Sequence, residues 1–127
     1  MSTTKPLEGI KVIEISTIIT ASLAAMMLSD QGAEVIKIEQ TGFGDPLRYL
    51  GTQKGGISAI FANTNRGKRS IDLDLKIKSD LEKAKKLISE ADVLINNFRP
   101  GVMDSLGLGK EDCKTSNKDL IYVAITG

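Results

Sequence analysis

Apolar and polar positions alternate along Ile10–Ile15 (IKVIEI), and the β-branched content of that run predicts a strand, with Lys11 and Glu14 at its solvent-leaning or terminal positions. Ser16, Thr17 and Thr20 follow, any of them able to cap a helix through Ala21–Leu28, and Gly32 stops it. That helix is rich in Ala and apolar nearly all round, as expected of one wedged against a sheet and covered on its outer side by something else, such as another chain. Glu34–Glu39 (EVIKIE) predicts a second strand. Gly42-Phe43-Gly44-Asp45-Pro46 then opens a long connection reaching Gly55-Gly56, of the kind that is usually functional or bound to something.

Beyond it, Ser58–Asn63 reads as a short helical or extended piece, Arg66-Gly67-Lys68-Arg69 as a basic turn and Ser70–Leu75 (SIDLDL) as a strictly alternating strand. Ser79-Asp80-Leu81-Glu82 has the spacing of a capping box, after which Leu81, Ala84, Leu87, Ile88 and Ala91 repeat at helical spacing. Asp92–Ile95 predicts a short buried strand ending in Asn96-Asn97, and Pro100-Gly101 turns toward Met103 and Leu106. Glu111–Ser116 makes a helical turn or two and Leu120–Ile125 a final strand, with no internal repeat anywhere. Strand and helix alternate throughout, so the expected fold class is α/β, a parallel sheet with helices on both faces and right-handed crossovers.

Composition narrows the chemistry. At 127 residues, 41% hydrophobic and 26% charged, the chain suits one globular unit with a core. Its 17 Lys and Arg against 16 Asp and Glu leave a net charge of +1, too little for a field that grips nucleic acid. With no His and a single Cys, Cys113, neither an intrachain disulfide nor a Cys/His metal site is expected, and a reducing, cytoplasmic setting is the natural reading. No apolar run behind Lys5 reads as a signal peptide and none approaches a membrane span, so no membrane partner is expected. Any acid or base work falls to carboxylates or lysines.

Three places could carry a site. A dinucleotide fold needs Gly-x-Gly-x-x-Gly between the first strand and helix, but that turn reads Ser16-Thr17-Ile18-Ile19-Thr20 with no glycine, which argues against NAD or FAD and leaves Glu39 as a strand-end charge. Arg66, Lys68 and Arg69 put three cations within four residues, either a compact anion site or a solvated loop. Asn96-Asn97-Phe98-Arg99 lies just past a strand's carboxyl end, where open α/β sheets bind ligands; it suits a heterocycle and a phosphate, or else is a turn with an Asx cap.

Taken together, the strings resemble the opening of the family III CoA-transferases, the CaiB/BaiF family that includes formyl-CoA transferase and α-methylacyl-CoA racemase. Those strings are Pro6-Leu7-Glu8-Gly9-Ile10-Lys11-Val12, Gly32-Ala33-Glu34-Val35-Ile36-Lys37-Ile38-Glu39, Gly44-Asp45-Pro46 with Arg48, Asn65-Arg66-Gly67-Lys68-Arg69-Ser70, Asp72-Leu73-Asp74-Leu75-Lys76, Ala91-Asp92-Val93-Leu94, Asn97-Phe98-Arg99-Pro100-Gly101-Val102-Met103, Leu106-Gly107 and Leu120-Ile121-Tyr122. They follow the family's order and spacing over nearly the whole chain. The resemblance implies that residues 1–127 are the N-terminal part of a Rossmann-like, CoA-binding large domain. It implies a CoA-transferase moving CoA between an acyl-CoA thioester and a carboxylic acid, these two being the substrates, with coenzyme A as the cofactor-like ligand and no metal. By the same resemblance CoA contacts map to Ile19 and Thr20, to Lys68 and Arg69, to the backbone of Asp72, Leu73, Asp74 and Leu75, and to Asn96, Asn97, Phe98 and Arg99.

The chain departs from the family pattern in three contacts: Ala21-Ser22 replaces a common Gly-Pro, Gln40 stands where some relatives carry a cation, and Asn96 stands where Glu is frequent. The family's catalytic Asp, which forms a mixed anhydride with the substrate acyl group and then a covalent CoA thioester of its own, belongs to a segment past the point matching Gly127. Asp45, Asp72, Asp92 and Asp104 do not sit in its motif, so no catalytic residue is expected in this chain, and the chain reads as an N-terminal fragment. Gly127 itself corresponds to the opening of the family's Gly-Phe-Gly-type loop. Full-length members form interlocked homodimers, which would cover the apolar first helix. The rival readings are a racemase-type member, which uses His and shortens the connection after the second strand, and a truncated, non-catalytic CoA-binding module.

Overall fold

The computed structural model describes residues 3–126; Gly127, matched above to a family loop, lies outside them. Five strands form one parallel sheet: β1 (Lys11–Ile15), β2 (Glu34–Glu39), β5 (Arg69–Asp72), β6 (Val93–Asn96) and β7 (Ile121–Ala124), with β3 (Gln53–Lys54) and β4 (Ile57–Ser58) forming a separate two-residue hairpin. The spatial order β5-β2-β1-β6-β7 is that of a Rossmann sheet, reversing direction between β1 and β6. The helices are α1 (Thr20–Asp30), α2 (Ala59–Asn65), α3 (Lys78–Ser89), α4 (Val102–Ser105) and α5 (Lys110–Ser116), with a 3-10 turn at Pro46–Tyr49.

Side chains alternate across the pleat, and both faces are covered. Val12, Val35 and Ile95 pack with Ala21, Ala25 and Ala33 on the α1 side. Ile13, Ile38 and Leu94 pack with Ala84, Ile88, Leu108 and Leu120 on the other side, beneath α3 and α5. Small Ala residues let α1 lie close to the sheet, which is why its apolar pattern extends around so much of its circumference. Its outward positions Ile19, Leu23 and Met27, spaced four apart, are 37%, 40% and 55% exposed.

Three local expectations change. Glu14 is not solvent-leaning but fully buried, because Val12 and Glu14 share the face that α1 covers. The strand over 70–75 ends at Asp72: the Leu73 amide makes the last ladder bond, to the Glu39 carbonyl, and the Asp74 amide is taken by the Asp80 side chain. The capping box at Ser79 is not formed. Asp74 closes a tight turn by accepting from the Lys76 amide at 3.0 Å, so α3 begins at Lys78, and Asp80 in its first turn reaches back to the Asp74 amide. No helix among the described residues is long and apolar enough to cross a membrane.

Candidate active-site edge

The carboxyl ends of β1, β2, β5 and β6 gather the turn after β1, Glu39, Asp72–Leu75 and Asn96–Arg99, whereas Arg66–Arg69 leads into the amino end of β5, Arg69 lying beside Glu34 at the start of β2. At the switch point between β1 and β6, Asn97 clasps the turn that follows β1: its Oδ1 accepts from the Thr17 amide at 3.1 Å and its Nδ2 donates to the Thr17 carbonyl at 2.7 Å. Asn97 is thus committed to holding two loops together, 80 residues apart in sequence. The next residue, Ile18, has φ 67°, a conformation costly for a β-branched side chain. Its amide donates to Asp45 Oδ1 at 3.0 Å. Ile19 and Thr20 then enter α1, whose start carries no side-chain cap, so the first-turn amides lack helical partners by geometry.

The compact cationic site read at residues 66–69 is not formed. Gly67, at φ 79°, turns the segment so that its neighbours diverge. Arg66 makes a two-pronged pair with Asp30 at 2.7 and 3.1 Å. Lys68 points inward, its side chain 2% exposed, and its three protons meet Glu14 Oε1 at 2.5 Å, the Ser22 carbonyl at 2.8 Å and Asn65 Oδ1 at 2.8 Å. Burial lowers the Lys68 pKa below the usual lysine value, with the Glu14 carboxylate opposing that shift. Arg69 faces solvent, 79% exposed and 3.6 Å from Glu34, and the Arg66 side chain is 56% exposed beside Asp30.

Glu14, Lys37 and Asp45 complete a buried group that the sequence reading did not single out. Lys37 Nζ lies 2.6 Å from Glu14 Oε2 and 2.9 Å from Asp45 Oδ2, and Ser22 Oγ, from the position departing from the family's Gly-Pro, joins at 3.0 Å. The available signal was register: Glu14 and Lys37 are opposite each other on adjacent parallel strands.

Glu39 ends β2 as a hub. Arg48 grips both its oxygens at 2.8 and 2.6 Å, the Asp45 amide donates at 2.7 Å, and Ser70 Oγ adds a further bond. Burial would raise this carboxyl, but the Arg48 and Ser70 bonds, the Asp45 amide and the Arg48 charge outweigh it and hold the pKa at about 2. Arg48 in turn sits 4.0 Å over the Phe61 ring. With its oxygens so engaged, Glu39 is not free to take a ribose hydroxyl, in keeping with the missing glycine turn.

In the segment Asp72–Leu75, the Leu73 and Asp74 amides are used within the fold. Asn96 is buried and accepts from the Phe98 amide at 3.3 Å, the Asx turn anticipated for this segment, while Arg99 is exposed. Phe98 stands between two clefts. One, of 130 Å³, is bounded by Thr17, Gly44 and Leu75; the other, of 280 Å³, is bounded by Arg99, Lys110 and Tyr122. A larger hollow of 590 Å³ between α3 and α5 contains none of the candidate residues. Among the described residues no group of three or more His, Cys, Asp or Glu is placed to hold a metal ion.

Comparison with known proteins identifies the family to which this fold belongs. The family described as CoA-transferase family III matches residues 7–127. An acetyl-CoA:oxalate CoA-transferase of Acetobacter aceti is 41% identical over 122 residues, covering 96% of this chain and 31% of that protein. A human succinyl-CoA:glutarate CoA-transferase is 38% identical over 128 residues, 100% of this chain and 29% of its own length. The crystal structure of a CaiB/BaiF family protein from Brucella suis superposes with a TM-score of 0.92 at 40% identity, covering 98% of this chain and 34% of that one. The chain therefore spans about a third of the length of the relatives it matches.

Proposed function

The chain belongs to CoA-transferase family III, and from that membership we propose that it forms the CoA-binding N-terminal part of an enzyme that moves CoA between an acyl-CoA thioester and a carboxylic acid. The observation that carries this reading is the family match across residues 7–127, on a sheet whose switch point lies between the β1 turn and Asn97. The relatives named above are CoA-transferases, which favours that activity over the racemase alternative.

In this reading CoA runs along the carboxyl edge. The free amides at Ile19 and Thr20 face its phosphates, Arg99 supplies charge from a solvent-exposed position, and Phe98 offers a face to an adjacent ring. The backbone of Asp72–Leu75 borders the same edge, with the Asp72 and Asp74 carboxylates turned from the ligand. Asn96 and Asn97 shape the turn, and Lys68 supports it from beneath through Glu14. The burial of Asp45 against Lys37 speaks against its acting as an acyl-accepting nucleophile, and in this reading the covalent chemistry falls to another carboxylate of the whole enzyme.

The exposed stripe Ile19, Leu23 and Met27 on α1 favours association through that helix, in line with the homodimer expected from the family. A buried free thiol at Cys113 suits a cytoplasmic setting. Calorimetric titration with CoA tests the central claim. Saturable binding is expected, weakened about tenfold or more by Arg99→Ala, by analogy with hydrogen bonds to charged groups. Absence of saturable binding, or unchanged affinity in that variant, overturns it.

A further inference from the structure

Four charged side chains lie in an unbroken file inside the fold. Asp45 Oδ2 is 2.9 Å from Lys37 Nζ, Lys37 Nζ is 2.6 Å from Glu14 Oε2, and Glu14 Oε1 is 2.5 Å from Lys68 Nζ, with each side chain at most 2% exposed. Two anions face two cations, so the file is neutral as a whole. Apolar side chains of the same size would serve stability as well or better, so a buried file of this kind is better explained by what it holds in place. At one end Asp45 Oδ1 takes the amides of Ile18 and Leu47, at 3.0 and 2.9 Å. At the other, Lys68 takes the Ser22 carbonyl in α1 and Asn65 Oδ1.

Among the described residues Ile18 is the sole non-glycine at positive φ. A β-branched residue keeps that conformation only where its surroundings over-determine it. Here two side chains from distant segments do so, Asn97 on the Thr17 peptide and Asp45 on the Ile18 amide. The two grip one peptide unit from both sides: Asn97 Nδ2 donates to the Thr17 carbonyl, and Asp45 Oδ1 accepts from the Ile18 amide bonded to it, which fixes the plane from which the Ile18 φ is set.

We propose that Asp45 is a positioning residue: paired with Lys37 at the head of the buried charge file, it holds Ile18 in its left-handed conformation and so sets Ile19 and Thr20 against the Asn96–Arg99 turn. Its effect on a ligand rests on the CoA reading above; its effect on the turn does not. Three variants test it, with CoA as the probe and amide hydrogen exchange at Thr17, the donor to Asn97, as the ligand-independent readout. Asp45→Ala removes the clamp but leaves an excess cation. Lys37→Met/Asp45→Ala removes one charge of each sign and leaves the Glu14–Lys68 pair neutral, which keeps the test alive should the first variant not fold. Asp45→Ala/Ile18→Gly restores a residue that adopts positive φ without strain.

Thr17 exchange is expected to quicken about tenfold or more in the first two variants and CoA affinity to fall by a similar factor, with both recovering to within about threefold of wild type on adding Ile18→Gly. Mere loss of buried packing would not be rescued at Ile18. Unchanged Thr17 protection in a folded variant, or failure of Ile18→Gly to recover it, overturns the proposal. If wild type does not bind CoA while Thr17 responds as expected, the positioning role stands and the CoA reading falls.

Discussion

Lys68 and Arg69 are adjacent and both cationic, yet the structure separates their roles, and substituting each alone should give opposite results. Lys68→Met keeps most of the stem and deletes the ammonium. Glu14 Oε1, the Ser22 carbonyl and Asn65 Oδ1 then lose their donor, and the buried file is left with two anions facing Lys37. Breaking one side of a buried pair costs roughly 3–5 kcal/mol, because the partner charge stays desolvated. Against a total stability of about 6–19 kcal/mol for a domain of this size, that is a third or more of what is available at the lower end. It should lower the melting temperature by about 10–20 °C. Arg69→Ala removes a side chain that is 79% exposed and only 3.6 Å from Glu34, so its cost should stay within about 0.5 kcal/mol. Urea unfolding followed by far-UV circular dichroism measures both. Equal midpoints for the two variants, or a Lys68→Met loss below about 1 kcal/mol, would refute the placement of Lys68 as a buried tie rather than a surface cation.

Three further outcomes follow from the geometry. Glu39 has its carboxyl held at about 2 against an ordinary 4.5, so its stabilising contribution, about 2–3 kcal/mol, is fully present above pH 4.5 and fades as pH falls toward 2; Glu39→Gln should flatten that part of an acid titration, and an unchanged acid profile would count against the hub. Burial pushes the Cys113 thiol up to about 11, so alkylation by iodoacetamide at pH 8 should be slow in the folded chain and speed up sharply in urea; equal rates would contradict its packing. On α1, Leu23→Lys with Met27→Lys should reduce self-association in sedimentation equilibrium while leaving the melting temperature nearly unchanged, and association that survives both changes would place the contact elsewhere.

Most of the sheet was legible because period and punctuation agreed. EVIKIE became β2 over the same six residues, and the order of the five sheet strands was read correctly, while the β3–β4 hairpin and the single turn of α4 were not foreseen. The two short-range errors share a cause, which is backbone hydrogen bonding to a side chain or a neighbouring strand that no periodicity reports. β5 stops because the Asp74 amide is taken by the Asp80 side chain rather than by a neighbouring strand, and α3 starts early because Asp74 turns the chain before Ser79 can cap it. The basic turn was misjudged for a related reason. Composition marks Arg66, Lys68 and Arg69 as equivalent, whereas a glycine at positive φ between the first two decides which faces in.

The buried charges were also written in the sequence, but in a relation between strands rather than within one. IKVIEI and EVIKIE each carry a charge two residues after a Val that must face a covered side, since a parallel sheet of alternating strands and helices leaves neither face wet. A charge at such a position has to be paired, and the strand that supplies the partner is the neighbour in register: Glu14 opposite Lys37, as Val12 is opposite Val35. Once that pair is placed on the α1 side, two further requirements follow. The pair lies near the carboxyl ends of its strands, where chain segments must cross over it, and each unmet oxygen or proton draws a group from those crossings, Asp45 from the loop after β2 and Lys68 from the turn before β5. The same polar residues that a reading of single segments assigns to solvent or to ligand thus become the ties that fasten the loop after β2 and the turn before β5 to one buried pair, and the surface left for a ligand at the carboxyl edge is what those ties do not consume: the start of α1, Phe98 and Arg99.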